Sequence, residues 1–319
     1  MNFPGFLARH GRPALLAAAA AAAALLVACG GGTSQVETFT ASRVVAFGDE
    51  LSALTTDGRR YGINALTEAG AIDCESQPIW VQAVASVYGY VFAECNPDNV
   101  VDPKATMRAA VNARVADVQT QIDTQLAAGG FGQRALATVL VGMHDVLDLY
   151  AQFPNLSRSE LLAQARTQGE LAGRQVNRLV DLDVRVLIAT VPDQGLTPYA
   201  IAQKAANTDT DRAALLSDLT TEFNAGLRTT ILNDGRFVGL VLADEMVQAM
   251  KVSPSSFGLS NVTGEACLET AAVPDCTTLT LNTGADTVTW LWADDLRLAY
   301  GGQSRLGTLA ATRARDNPF

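Results

Sequence analysis

The chain has 319 residues, 48% of them hydrophobic, and a formal net charge of −10. That is enough apolar material for a real core, in one large domain or two small ones. The acidic balance argues against a nucleic-acid partner, because phosphate binding needs a basic face.

The chain opens with Arg9 and Arg12, followed over 14–26 by an apolar run too short to span a bilayer as a stable helix. The run ends in Leu26-Val27-Ala28-Cys29, and Gly30-Gly31-Gly32-Thr33-Ser34 follows. This stretch resembles a bacterial lipobox, whose cysteine is lipidated and becomes the first residue of the mature protein. The resemblance implies a signal peptide over 1–28, lipid on Cys29 and a flexible tether over 29–41. With no aspartate after Cys29, it also implies export to the outer membrane, on its periplasmic side or at the cell surface. The membrane is then a partner through Cys29, since several acyl chains hold where one does not. Loss of the leader removes two arginines and no acid, leaving 21 basic against 33 acidic side chains, a charge of −12.

From residue 42 to 316 there is no second linker, repeat or low-complexity tract. Short apolar runs at 44–47, 88–92, 137–141, 184–190 and 237–242 alternate with longer helical stretches. The runs are nearly continuous in apolar character, as strands buried on both faces of a parallel sheet are. Helices are predicted over 105–128, 159–182 and 211–232. The first carries Val111, Val115, Val118, Ile122 and Leu126 and stops at Gly129-Gly130. Residues 253–290 read as irregular, and a last helix is predicted over 304–315. Strand alternating with helix argues for an α/β domain, a three-layer α/β/α sandwich around a central parallel sheet. Function in such a sheet sits where strands end and helices begin.

An exported chain is expected to form disulfides. Once Cys29 is set aside, Cys74, Cys95, Cys267 and Cys276 allow three connectivities. Pairing Cys74 with Cys95 and Cys267 with Cys276 is favoured, because each pair brackets one loop-like segment. A metal site is the lesser alternative, since no CxxC or nearby histidine supports it.

The strand-end segments carry the chemistry. Phe47-Gly48-Asp49-Glu50-Leu51-Ser52 follows the first run, and Val141-Gly142-Met143-His144-Asp145 follows the third. Val191-Pro192-Asp193-Gln194-Gly195-Leu196-Thr197-Pro198 follows the fourth. Near the end come Trp292-Ala293-Asp294-Asp295-Leu296-Arg297 and Gly302-Gln303, with 254–263 before them. Together and in this order, these resemble the GDSL or SGNH family of lipolytic ester hydrolases over almost the whole mature chain. The resemblance implies a flavodoxin-like three-layer fold. It also implies a serine nucleophile at position 50, a histidine base at 297, an orienting aspartate at 294 and an oxyanion-hole asparagine at 144. The chain has Glu50, Arg297 and His144 there, and only Asp294 is kept. The oxyanion glycine of the second motif has no clear counterpart; Ala93-Glu94-Cys95-Asn96 lies near its expected place.

Arginine stays protonated and cannot act as a base. Carboxylate attack on an ester would give an anhydride with nothing placed to resolve it. His144 is the only histidine of the mature chain. A pseudoenzyme is therefore the leading reading, with Glu50, Arg297 and Asp294 forming an ion-pair chain in place of the triad. The alternative is a divergent ester hydrolase in which Glu50 activates water, assisted by His144. Ser52 has no histidine partner to activate it. A divalent cation held by Asp49, Glu50, His144, Asp145, Asp294 and Asp295 is a third reading, and Arg297 in their midst argues against it. No cofactor and no metal are expected. Asp49, Asp145 and Asp295 are expected in the cleft, and the ligand class is an acyl ester, a glycan or a protein. Asp193 reads as a turn residue, Trp290 and Trp292 as packing residues.

Overall fold

The apolar run after residue 42 forms strand β1 (Arg43–Gly48) in the computed structural model, which describes residues 1–2 and 39–319. The expected lipidation at Cys29, the leader beyond its first two residues and the tether through residue 38 lie outside the described residues. Val44 and Ala46 face one side of the sheet and Val45 and Phe47 the other, all fully buried. With both faces covered, the strand needs no polar alternation.

Four further strands run parallel to it: β2 (Ala105–Met107), β3 (Ala135–Leu140), β4 (Arg185–Ala189) and β5 (Val238–Val241). Their order is β2-β1-β3-β4-β5, with Val44 beside Ala105 on one flank and Leu136 on the other. The α-helices among the described residues are α1 (Trp80–Val87), α2 (Val115–Ala127), α3 (Met143–Tyr150), α4 (Arg158–Asp181), α5 (Pro198–Ala206), α6 (Arg212–Thr230), α7 (Ala243–Val252) and α8 (Tyr300–Asp316).

Helices α1, α7 and α8 cover one face, where Trp80, Val84, Val247 and Leu306 pack on Val44, Ala46, Leu136 and Leu140. Helices α2, α3, α4 and α6 cover the other, where Val118, Ile122, Leu161 and Phe223 pack on Val45, Phe47 and Val139. Each such fully buried large side chain contributes about 1.5–3 kcal/mol. Helices α4 and α6 start within one residue of the predicted positions. Ser157 caps α4 with Glu160 reaching back to its N–H at 2.9 Å, and Asp211 caps α6.

Both expected disulfides form. Cys74 and Cys95 have Cα atoms 5.6 Å apart, and Cys267 and Cys276 5.9 Å. The second loop braces the segment after β1, because Asn64 Nδ2 donates to Pro274 O and Cys276 O. The compact unit runs Phe39–Phe319, a little beyond the expected 42–316. Phe39 packs on Tyr88 and Phe319.

Two expectations are corrected. The run 88–92 is not a strand. Helix α1 ends at Val87, Gly89 turns the chain at φ 72°, and the run meets the sheet by a single bridge of Phe92 to Ala105, with Ala105 N–H donating to Val91 O at 3.2 Å. The second strand is instead Ala105–Met107, the start of the predicted helix. That helix begins only at Val115, because Asn112 sits at φ 59° and breaks the turn before it. The predicted stripe accordingly splits: Val115, Val118 and Ile122 are buried, while Val111 and Leu126 are exposed. The segment 253–290 is mostly irregular but contains Asn261–Glu265, which pairs parallel with Trp290–Trp292. The last helix is longer than predicted, and α1, α3, α5 and α7 were not predicted at all. They have only 8 to 10 residues, too few turns for periodicity to stand out.

Candidate functional site

Strand order reverses at β1. The chain after β1 leaves toward α1, and the chain after β3 leaves toward α3 on the opposite face. A crevice opens between strand ends at such a switch point. Both exits need glycine. Gly48 sits at φ 117°, where a Cβ would meet Leu140 O at 1.8 Å, and Gly142 at φ 128°, where it would meet Phe223 Cζ at 2.3 Å. Gln121 clasps the first exit, accepting from Gly48 N–H at 2.8 Å and donating to Gly48 O at 2.9 Å.

These turns bring Glu50 and His144 together. His144 lies in the first turn of α3, not on a loop, and its Nε2 is 2.9 Å from each Glu50 oxygen. Arg297 comes from the far end of the chain. Its Nε and Nη2 donate to Glu50 Oε1 at 2.9 and 2.6 Å, and its Nη1 to Asp294 Oδ2 at 2.9 Å. Asp294 Oδ1 meanwhile accepts the backbone N–H groups of Leu296 and Arg297, which fixes the turn. The chain Glu50–Arg297–Asp294 is therefore continuous.

A further donor reaches Glu50. Asn112 N–H donates to Oε2 at 3.0 Å. This residue, and not the 93–96 stretch, lies on the loop after the second strand. Its left-handed backbone makes the turn without a glycine, so no motif marked the position.

Glu50 is thus saturated and sealed. Its side chain has no exposed surface, and those of His144, Arg297 and Asp294 have 10%, 16% and 17%. Burial alone would push the Glu50 carboxyl up, but the His144 hydrogen bond and the charges of Arg297 and His144 overcome it. They hold the group at about 2. Arg297 is affected in the complementary sense: burial lowers it, and Asp294 and Glu50 more than restore its charge.

The other carboxyls expected in the cleft make no hydrogen bond to Glu50, His144 or Arg297 among the described residues. Asp49 is fully buried, and its Oδ1 accepts Leu51 N–H at 3.0 Å. Its Oδ2 has no hydrogen-bond partner among the described residues. Burial, then the Glu50 charge, raise it well above its ordinary value. Asp145 faces α2 and accepts Val115 N–H at 3.1 Å. Asp295 presents its backbone O to Tyr199 N–H at 2.9 Å. Among the described residues no cluster of three or more His, Cys, Asp or Glu side chains is arranged to hold a metal ion.

Ser52 is engaged too. Its Oγ accepts the indole N–H of Trp80 at 3.1 Å, and Gln303 ties Leu51 O to Trp80 N–H. Asp193 accepts Gly195 N–H within its turn, Ser217 Oγ–H and Gln248 Nε2–H. Trp292 is fully buried and donates to Val262 O.

Asp145 carries a pH prediction. Burial, against the Val115 hydrogen bond, pushes its carboxyl up to about 6 from 3.8. A native group that holds its proton more tightly than the unfolded chain lends stability that is full below about pH 4. That stability is lost as pH rises through about 6. Asp145→Asn keeps the acceptor for Val115 and never ionises. It is expected to be more stable than the wild type at pH 8, by roughly 1–3 kcal/mol, and equal near pH 4. Urea midpoints at both pH values check this. A variant no more stable at pH 8 contradicts it.

No family model and no curated protein matches the chain. Solved structures resemble it in arrangement. An acetyl xylan esterase has a TM-score of 0.44 and 9% identity, covering 84% of this chain and 96% of that one. A protein described as a GDSL-like lipase, from Parabacteroides merdae, has a TM-score of 0.43 and 11% identity, covering 86% and 97%. An acetylxylan esterase from Geobacillus stearothermophilus has a TM-score of 0.40 and 11% identity, covering 88% and 96%. At these scores the likeness settles nothing about activity.

Proposed function

We propose that this protein is a non-catalytic member of the GDSL/SGNH ester-hydrolase type, exported and held at the outer membrane by lipid on Cys29. One observation carries the reading. The side chain at the nucleophile position, Glu50, is fully buried, with both carboxylate oxygens taken up by Arg297, His144 and Asn112 N–H. A nucleophile or base needs a free lone pair facing its substrate. Arg297, at the base position, carries a permanent charge and cannot accept a proton.

Water activation by Glu50 is disfavoured on the same grounds. A carboxylate held at about 2 is a weak base, and a water would have to displace one of its donors. The anchoring part of the proposal rests on the lipobox-like Leu26-Val27-Ala28-Cys29 and the glycine-rich tether. The domain then serves by binding an acyl, glycan or protein partner.

The test is hydrolysis of a short-chain nitrophenyl ester by the mature protein lacking Cys29, beside its Glu50→Ala variant. The expected result is no turnover by either above buffer. Turnover by the wild type that Glu50→Ala abolishes would establish a carboxylate mechanism and end the non-catalytic reading.

A further inference from the structure

Glu50 is held as a bound anion is held. Five donor contacts of 2.6 to 3.0 Å converge on its two oxygens: two from Arg297, two from His144 Nε2 and one from Asn112 N–H. A charged fork, an imidazole and a backbone N–H around one carboxylate make an anion pocket. What fills it is a side chain of the same chain.

We propose that Glu50 is a tethered ligand in a pocket for one small carboxylate, and that a chain without this side chain takes up free acetate in its place. The size match is direct. Glu50→Ala removes Cγ, Cδ and the two oxygens, which correspond to the four heavy atoms of acetate. Formate fits with a carbon to spare, and propionate exceeds the space by one. The complete burial of the side chain gives the pocket its size limit.

The donors are held by contacts that do not involve Glu50, so the pocket outlasts its occupant. Arg297 is fixed by Asp294 Oδ2 at 2.9 Å and by its own carbonyl accepting Ala293 N–H at 2.8 Å. Asn112 is presented by its left-handed turn, with Ala110 N–H on Gly48 O at 3.0 Å just before it. His144 is carried by α3, whose first turn is closed by Val146 N–H on Gly142 O at 3.0 Å. Once the glutamate is gone, Arg297 keeps a single carboxylate partner, Asp294, and presents its Nε–H and an Nη2–H to the space. The incoming anion restores the charge balance that the protein was built with.

The inference goes beyond the non-catalytic reading and does not depend on it, because uptake is read by binding and turnover by ester hydrolysis. The experiment compares thermal unfolding of wild type, Glu50→Ala and Glu50→Ala/Arg297→Gln in sodium acetate and in sodium chloride at equal pH and ionic strength. Wild type is expected to melt identically in the two salts. Glu50→Ala is expected to gain roughly 3 °C or more in acetate at about ten times its Kd, less in propionate, and the double variant nothing. No acetate-specific gain in Glu50→Ala, or an equal gain in wild type or in the double variant, overturns the proposal. Should Glu50→Ala fail to accumulate as folded protein, refolding from urea in the two salts replaces the melt. Acetate-dependent recovery supports the pocket, and equal recovery in both salts, including none, overturns it.

Discussion

Arg297→Ala is expected to destabilise the domain by about 3–5 kcal/mol, the cost of leaving a buried carboxylate without its countercharge. For a domain of this size that lowers the melting temperature by roughly 10 °C. The argument rests on where the charge is left. Glu50 has no exposed surface and cannot turn to water when Arg297 goes. His144 and Asn112 N–H remain, and neither supplies a permanent positive charge. Glu50→Gln is expected to cost less, about 1–3 kcal/mol, because one oxygen still accepts from Arg297 while the new amide faces a donor. The double variant Glu50→Gln/Arg297→Ala should then cost clearly less than the two singles together, since the charges were each other's partners. Chemical denaturation of the four proteins measures this. An Arg297→Ala cost within about 0.5 kcal/mol of zero, the range of ordinary surface substitutions, would show that the pair is structurally idle.

The second large effect is a gain. Glu50→Ser, His144→Asn and Arg297→His, made together, put the residue types of the resembled hydrolases at positions whose surroundings are already arranged. Asp294 stays where it held the guanidinium, its Oδ1 fixed by two backbone N–H groups, and its Oδ2 is free to accept an imidazole N–H. Asn112 N–H, which now points at Glu50 Oε2, becomes available to an ester oxygen. Short-chain nitrophenyl ester hydrolysis is expected to rise on the order of 10²-fold over the buffer rate, at which the unchanged chain stays, the lower range of what a positioned acid–base group contributes. Glu50→Ser alone is expected to stay silent, because the neighbouring Arg297 stays protonated and cannot take the serine's proton. A folded triple variant that stays silent would mean the cleft around the triad positions no longer admits an ester.

Much of the site was readable because its pieces flank strands. Phe47-Gly48-Asp49 and Val141-Gly142 follow buried apolar runs, and the two glycines are the residues that the strand exits demand. The pairing of positions 50 and 297 was readable because a glutamate and an arginine stand where the motif resemblance sets two side chains in contact, and the structure joins them. Asn112 was not readable. Its role belongs to a backbone N–H, which any residue but proline carries, and its left-handed turn is made without a glycine. The second strand was hidden for a related reason. It has three residues, one of them Thr106, and precedes an alanine-rich stretch that reads as helix. The apolar run 88–92 looked more like a strand, yet it is the exit from α1. Asp49 and Asp145 illustrate a further limit. Acidic residues at strand ends read as cleft groups, and what the sequence does not show is that both accept backbone N–H groups, Leu51 on Asp49 and Val115 on Asp145.

The central claim is that Glu50 is a locked, permanently ionised partner and not a reacting group. The most direct measurement is the ¹³C shift of the Glu50 carboxyl carbon in labelled mature protein, assigned by its absence in Glu50→Gln and followed from about pH 3.5 to 8. The shift is expected to stay that of a carboxylate across the range, since the group titrates at about 2. An inflection between about pH 4.5 and 7 would contradict the account, because that is the behaviour of a carboxyl free to give and take a proton.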